Sequence, residues 1–166
     1  EAYELDPDIR FLVLGEGVTE TKVIRRAKEL GVYEKNFFME PRIPKKEVPA
    51  ALNAATVCTS LFIPLKEMEA NSANKFFDSL AARRPIAINY GGWQKSLIEE
   101  NNVGVALEQG NLQVSAKKLV ELVRDKSQLD VMGKNARRLG EQHFSRDILA
   151  SKLIETLNSV VVSDKK

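Results

Sequence analysis

Pro85-Ile86-Ala87-Ile88-Asn89-Tyr90-Gly91-Gly92-Trp93 begins as one kind of structure and ends as another. Pro85 to Asn89 is an apolar run of strand length, and Tyr90-Gly91-Gly92 stops it. The pattern from Trp93 to Glu100 predicts a helix, and Val103 to Leu107 predicts another short strand. Strand, helix and strand over so few residues make a βαβ unit, whose strands run parallel.

The same alternation extends upstream. Arg10 to Leu14 reads as a strand ended by Gly15. Val23, Ile24, Ala27 and Leu30 then share a helical face, and Gly31 stands where a helix stops. Asn36 to Met39 and Thr56 to Ser60 read as strands, with a helix from Pro44 to Ala55 between them. A loop from Leu61 to Ser72 leads into a helix from Ala73 to Arg83, expected to bury Phe77, Leu80 and Ala81. Three helices close the chain: Leu112 to Arg124, one opening at the capping-box-like Ser127-x-x-Asp130, and Ser145 to Val160. The second aligns Leu129, Met132, Ala136 and Leu139, and the third aligns Leu149, Leu153 and Leu157. The tail Ser163-Asp164-Lys165-Lys166 is expected to fray. The fold class is therefore α/β, a Rossmann-like parallel sheet with helices on both faces, built as one domain over residues 1–166.

Composition removes several functions. One cysteine, Cys58, excludes an internal disulfide and a multi-cysteine metal centre. One histidine, His143, excludes His-rich metal sites. A net charge of +2, with no interleaving of basic and aromatic residues, gives no push toward nucleic acid. No run reaches the ~20 apolar residues of a membrane helix, and the acidic start Glu1-Ala2-Tyr3-Glu4 is unlike a signal peptide. The first residue is not Met, which marks the chain as an expected fragment or processed product.

In an open α/β sheet, ligands bind beyond the carboxyl ends of the strands. Four loops lie there: Gly15–Thr19, Glu40–Lys45, Leu61–Lys75 and Tyr90–Lys95. Gly15-Glu16-Gly17 opens like a dinucleotide fingerprint, but Glu20 occupies the third glycine position, and a tight turn explains it equally. Asn71-Ser72-Ala73-Asn74-Lys75-Phe76-Phe77-Asp78 crosses from loop into helix, where free N–H groups and the helix dipole favour a phosphate. Lys75 adds a full charge, and Asp78, about one turn on, could accept from two adjacent ribose hydroxyls. The alternative is a plain helix start capped by Asn71 or Ser72. Gly91-Gly92 offers amides to a polar group or simply makes a turn. Cys58 reads as a small core residue, and His143 as a helix-end or packing residue.

Taken in order, these residues resemble the C-terminal domain of family 4 glycosyltransferases, which have GT-B architecture. Asn74 to Ile86, NKFFDSLAARRPI, is similar to that family's "(S/N)KLFEYMAAGKPV" segment. Tyr90-Gly91-Gly92, Leu97-Ile98-Glu99 and Asn102-Val103-Gly104 are similar to its continuation. Leu12 to Gly17 resembles "LVGDG", and Met132 to Arg137 resembles "MG.NAR". The resemblance implies a nucleotide-sugar donor site: diphosphate on the amides around Asn74, Lys75 and Phe76, and ribose on Asp78. It places the base near Arg42 and Ile43, with Gly15 and Gly17 in the same crevice. Gly91, Gly92 and Glu69 form a candidate donor-sugar loop.

Departures accompany it. The family's first motif glutamate falls on Ala70, with Glu67 and Glu69 out of register, and Asp78 is one methylene shorter than the usual Glu. Pro41 stands where Gly is usual. Nothing before Arg10 matches the family's opening strand and diphosphate clamp. The expectation is therefore a donor-binding domain that lacks its first βα unit and its N-terminal acceptor-binding domain, and that is inactive alone. No residue is assigned to catalysis. No cofactor or metal is expected, the donor being a UDP- or GDP-linked sugar. The parent enzyme is expected to transfer hexosyl units in polysaccharide or lipopolysaccharide synthesis. It would be cytoplasmic or peripheral at the inner membrane face, with membrane contact only through the parent. Two other readings stay open: an epimerase-like or nicotinamide-dependent enzyme, the latter opposed by Glu20 in the Gly pattern and by the lack of an acid closing the second strand in the expected way, with Glu40 keeping it alive, and a non-catalytic assembly module.

Overall fold

The computed structural model describes residues 1–163, with side chains through Val160. The expectation for Asp164, Lys165 and Lys166 lies outside the described residues. The elements in chain order are α1 (Ala2–Leu5), β1 (Phe11–Leu14), α2 (Glu20–Glu29), β2 (Phe37–Glu40), α3 (Val48–Ala54), β3 (Cys58–Ser60), α4 (Asn74–Ala81), β4 (Ile86–Ile88), α5 (Trp93–Asn101), β5 (Gly104–Ala106), α6 (Leu112–Arg124), α7 (Lys126–His143) and α8 (Arg146–Ser163). Two 3-10 turns, Lys45–Glu47 and Lys66–Ala70, precede α3 and α4.

Every strand pair is parallel, in two ladders. β1 pairs with β2, Phe11 facing Phe37 and Leu14 facing Glu40. β4 lies between β3 and β5, with Cys58 opposite Ile86 and Ile86 opposite Gly104. The Rossmann-like α/β class is the one observed, but β1 and β3 are not hydrogen-bonded to each other.

Alternation along β4 builds the core on both faces. Ile86 and Ile88 pack with Phe76 and Leu80 of α4, Ile98 of α5, and Ala136 and Leu139 of α7. Ala87, on the opposite face, packs with Leu119 and Val120 of α6 and with Ile9. α4 buries Phe76, Ser79 and Leu80, whereas Phe77 is half-buried and Ala81 exposed. Leu80 is buried as expected, but its i, i+4 partner in the core is Phe76, so Phe77 and Ala81 lie on the next row. α7 crosses close to the end of α4: a Cβ on Gly133 would sit 2.8 Å from the Arg83 carbonyl oxygen.

Caps decide the helix starts. Asn111 Oδ1 accepts from the Val114 N–H at 3.1 Å, and α6 has the expected bounds. Asp125 Oδ1 accepts from the Gln128 N–H at 2.9 Å, so α7 starts at Asp125 and the expected cap, Ser127, lies inside its first turn. Pro49 sits in the first turn of α3, where its missing N–H removes no bond; the expected helix from Pro44 is a 3-10 turn followed by α3. α8 aligns Leu149, Leu153 and Leu157 as expected, and all three are exposed.

Candidate functional site

The loop after β3 is held by side chains bonded to backbone. Asn89 clamps Phe62 from both sides: Phe62 N–H donates to Asn89 Oδ1 at 2.8 Å, and Asn89 Nδ2 donates to the Phe62 carbonyl at 2.9 Å. Tyr90 Oη lies 3.2 Å from Ser60 Oγ and 2.7 Å from Gln94 Oε1, all buried. Burial pushes the Tyr90 hydroxyl above its usual range, and the Ser60 bond partly offsets this.

That frame presents the start of α4. Its N-cap is Ala73, whose side chain can accept nothing. The expected caps are therefore not the observed one: Asn71 Nδ2 donates to the Met68 carbonyl, and the Asn71 carbonyl accepts from Trp93 Nε1 at 3.0 Å. Asn71 Oδ1 is buried without a hydrogen-bond partner in the described residues. The Asn74 and Lys75 N–H groups have no partner within the helix, while the Phe76 N–H donates to the Ala73 carbonyl at 3.0 Å. Phe76 anchors the turn through its ring, edge-on to Phe77 at 5.3 Å and to Trp93 at 6.1 Å.

Lys75 and Asp78 are exposed, and among the described residues neither side chain makes an ion pair or hydrogen bond. Asp78 and Arg84 both act on the buried thiol of Cys58. Burial raises that thiol to about 11, Arg84 lowers it and Asp78 raises it. Cys58 is thus a protonated core residue. His143 is exposed in the last turn of α7, with its ring 6.3 Å from Phe144.

The second loop closes against the first. Gly92 has φ +79°, and a Cβ there would stand 1.9 Å from the Glu69 carbonyl oxygen. A Cβ on Gly91 would stand 3.3 Å from the Glu69 carboxylate. Glu69, Gly91 and Gly92, grouped as a candidate loop from the sequence, are therefore brought together. The pull of Trp93 on Asn71 ties the same two loops.

The other candidates stand apart. Gly15 has φ +153° with open space around it, as a turn requires, and Gly17 is likewise unobstructed. Among the described residues no hydrogen bond or ion pair joins Arg42 or Ile43 to the rest of the site. A concavity lined by Asn53, Thr56, Arg83, Arg84 and Asp130 lies at the opposite ends of β3 and β4, where sheet geometry gives no reason for a ligand. Among the described residues no cluster of three or more His, Cys, Asp or Glu could hold a metal ion, and no helix is long and apolar enough to cross a membrane.

These features define a Rossmann-like domain whose helix starts and glycine loops meet at one end of a parallel ladder. The chain belongs to the glycosyl transferases group 1 family, whose model matches residues 1–139. No curated protein matches it. Sucrose-phosphate synthase of Thermosynechococcus elongatus is similar in fold, with TM-score 0.81 and 13% identity over 98% of this chain and 41% of its own. TarM of S. aureus, crystallised as a variant with fondaparinux, alpha-GlcNAc-glycerol and UDP, gives TM-score 0.76 and 19% identity over 93% of this chain and 30% of its own. WaaG, a glycosyltransferase involved in lipopolysaccharide biosynthesis, gives TM-score 0.66 and 15% identity over 81% and 34%. The chain thus spans well under half the length of these GT-B glycosyltransferases.

Proposed function

We propose that this chain is the nucleotide-sugar donor-binding domain of a hexosyl-transferring glycosyltransferase of the family 4 type. The observation that carries the proposal is the uncapped start of α4, with two free N–H groups beside an unpaired Lys75 and an unpaired Asp78. In sugar transfer, negative charge builds on the leaving diphosphate. The Asn74 and Lys75 N–H groups, the helix dipole and the Lys75 ammonium stabilise that charge without needing to reorganise. Asp78 accepts from the ribose hydroxyls. The Glu69–Gly91–Gly92 junction faces the sugar, and the loop of Arg42 and Ile43 receives the base. The acceptor site, the polysaccharide or lipopolysaccharide product and a cytoplasmic, inner-face location are properties of the longer enzyme. UDP bound to TarM and the lipopolysaccharide role of WaaG support this reading.

The test is a calorimetric titration with UDP, GDP and ADP on the wild-type chain, Lys75→Ala and Asp78→Asn. UDP or GDP should bind, and each substitution should weaken it about tenfold, or about 1.4 kcal/mol. Equal binding of all three nucleotides, unchanged by either substitution, would contradict the proposal.

A further inference from the structure

We infer that the concavity between the ends of α3 and α4 and one face of α7 is a second binding site, built on Arg83 and Arg84, for a small phosphomonoester with an apolar body. Sheet geometry gives no reason for a ligand at that end; two local costs in adjacent residues do. The first is backbone strain. Arg83 has φ +56°, in the left-handed region that favours glycine. It ends α4 in a Schellman turn: its N–H donates to the Leu80 carbonyl at 3.0 Å, and the Arg84 N–H donates to the Ser79 carbonyl at 2.9 Å. Glycine makes that turn without strain, so the arginine side chain is held there at a cost to the fold. The second is an unpaired donor. Arg84 Nη2 donates to the Asn53 carbonyl, but Arg84 Nε is buried with no hydrogen-bond partner in the described residues. A charged donor left so is unfavourable until an acceptor reaches it. Arg84 as a whole is half-buried, so an acceptor entering from solvent meets its head group.

The concavity has a volume of about 490 Å³, the size of a small-molecule site. Pro85 and Leu129 give it apolar walls, and Gly133 lets α7 lie against the Arg83 carbonyl. Among the described residues the side chains of Asn53 and Thr56, which also line it, make no hydrogen bond.

The charges there favour an anion. Arg83 Nη2 lies 3.0 Å from Asp130 Oδ1, and Lys134 Nζ lies 2.6 Å from Asp130 Oδ2. Asp130 therefore keeps Lys134 as its partner when Arg83 turns to a ligand. Carbonyls at helix C-termini repel anions. Those of Asn53 and Ala81, in the last turns of α3 and α4, are already engaged by Arg84 and Arg137. A guanidinium group pairs with phosphate oxygens through its planar fork of donors. A phosphomonoester is close to doubly charged at neutral pH and so suits two arginines better than a carboxylate does. Its phosphate bonds Arg83 and the free Nε of Arg84, and its body rests on Pro85 and Leu129.

Amide NMR titration of the 166-residue chain with phenyl phosphate tests this, with benzyl alcohol and inorganic phosphate as controls. Phenyl phosphate should give saturable shifts at Thr56, Arg83, Arg84 and Gly133, and benzyl alcohol none. Inorganic phosphate should bind the same amides about threefold more weakly, because it buries no apolar body. Arg83→Gly should weaken phenyl phosphate about tenfold while the urea midpoint holds or rises, since the substitution relieves strain. Arg84→Lys keeps the charge but lacks Nε, and should weaken binding by a similar factor. If both arginines only cap helix ends, phenyl phosphate has no site here. The inference is overturned if phenyl phosphate gives no saturable shift at these amides, if it shifts Asn74 and Lys75 alone, if either control binds equally well, or if neither substitution weakens binding. UDP shifts at Asn74 and Lys75 report the donor site separately, so this test stands whatever they show.

Discussion

β4 and β1 begin from the same kind of sequence and reach opposite environments. Ile86, Ala87 and Ile88 lie between two strands and between two helix layers, and none is accessible. Leu12, Val13 and Leu14 have a partner on one side only and stay accessible. An apolar run therefore specifies strand conformation, and its neighbours specify burial. The same contrast divides the proposed site: α4 and α5 rise from the three-stranded ladder, while Gly15 and the Arg42 loop follow strands of the two-stranded one.

The largest expected effect lies in that core. Leu80→Ala or Ile88→Ala should cost about 2–5 kcal/mol in urea denaturation, whereas Leu12→Ala should cost less than about 1. Equal costs would remove the distinction between the two ladders. Next comes Gly92→Ala, expected to cost about 1–3 kcal/mol, because positive φ and the Glu69 carbonyl both oppose a Cβ. Gly17→Ala, with open space, should stay within about 0.5 kcal/mol by the same assay.

A smaller effect is pH-dependent. The Cys58 thiol ionises near 9 when unfolded and at about 11 when folded. Its contribution is complete below pH 9 and lost as pH rises toward 11, because only the unfolded chain then releases the proton. Cys58→Ala should flatten stability between those limits, measured as the urea midpoint at a series of pH values. The smallest effect concerns Asp130. Lys134 and Arg83 beside it hold its carboxylate below the usual range. What it contributes is present above the ordinary carboxylate range and lost as pH falls from there through the lower value of the folded state. Because Asp130 and its partners Arg83 and Lys134 are exposed to solvent, Asp130→Asn should leave the midpoint at neutral pH within error.

Much of this was legible in the residues. α6 matched its expected bounds because Asn111 is the capping type immediately before an apolar period. The parallel ladders followed from the alternation around Gly91-Gly92. Other features depended on choices that spacing leaves open. Two adjacent phenylalanines offer either face of α4, and packing against Ile86 chose Phe76. Asp125 and Ser127 are both capping types, and only the bond to Gln128 separates them. Glu69 was legible as a companion of Gly91 and Gly92, but the approach of its backbone carbonyl to Gly92 was not, because a 3-10 turn sets it. The α8 leucines were legible as a stripe, yet a stripe does not say what covers it.

The account is tested most directly by mapping UDP onto the chain with amide NMR. It predicts shifts centred on Asn74 and Lys75, extending to Gly91 and Gly92 and diminished in Asp78→Asn. Shifts confined to the concavity around Arg83, Arg84 and Asp130, or spread evenly over the surface lysines, would contradict it.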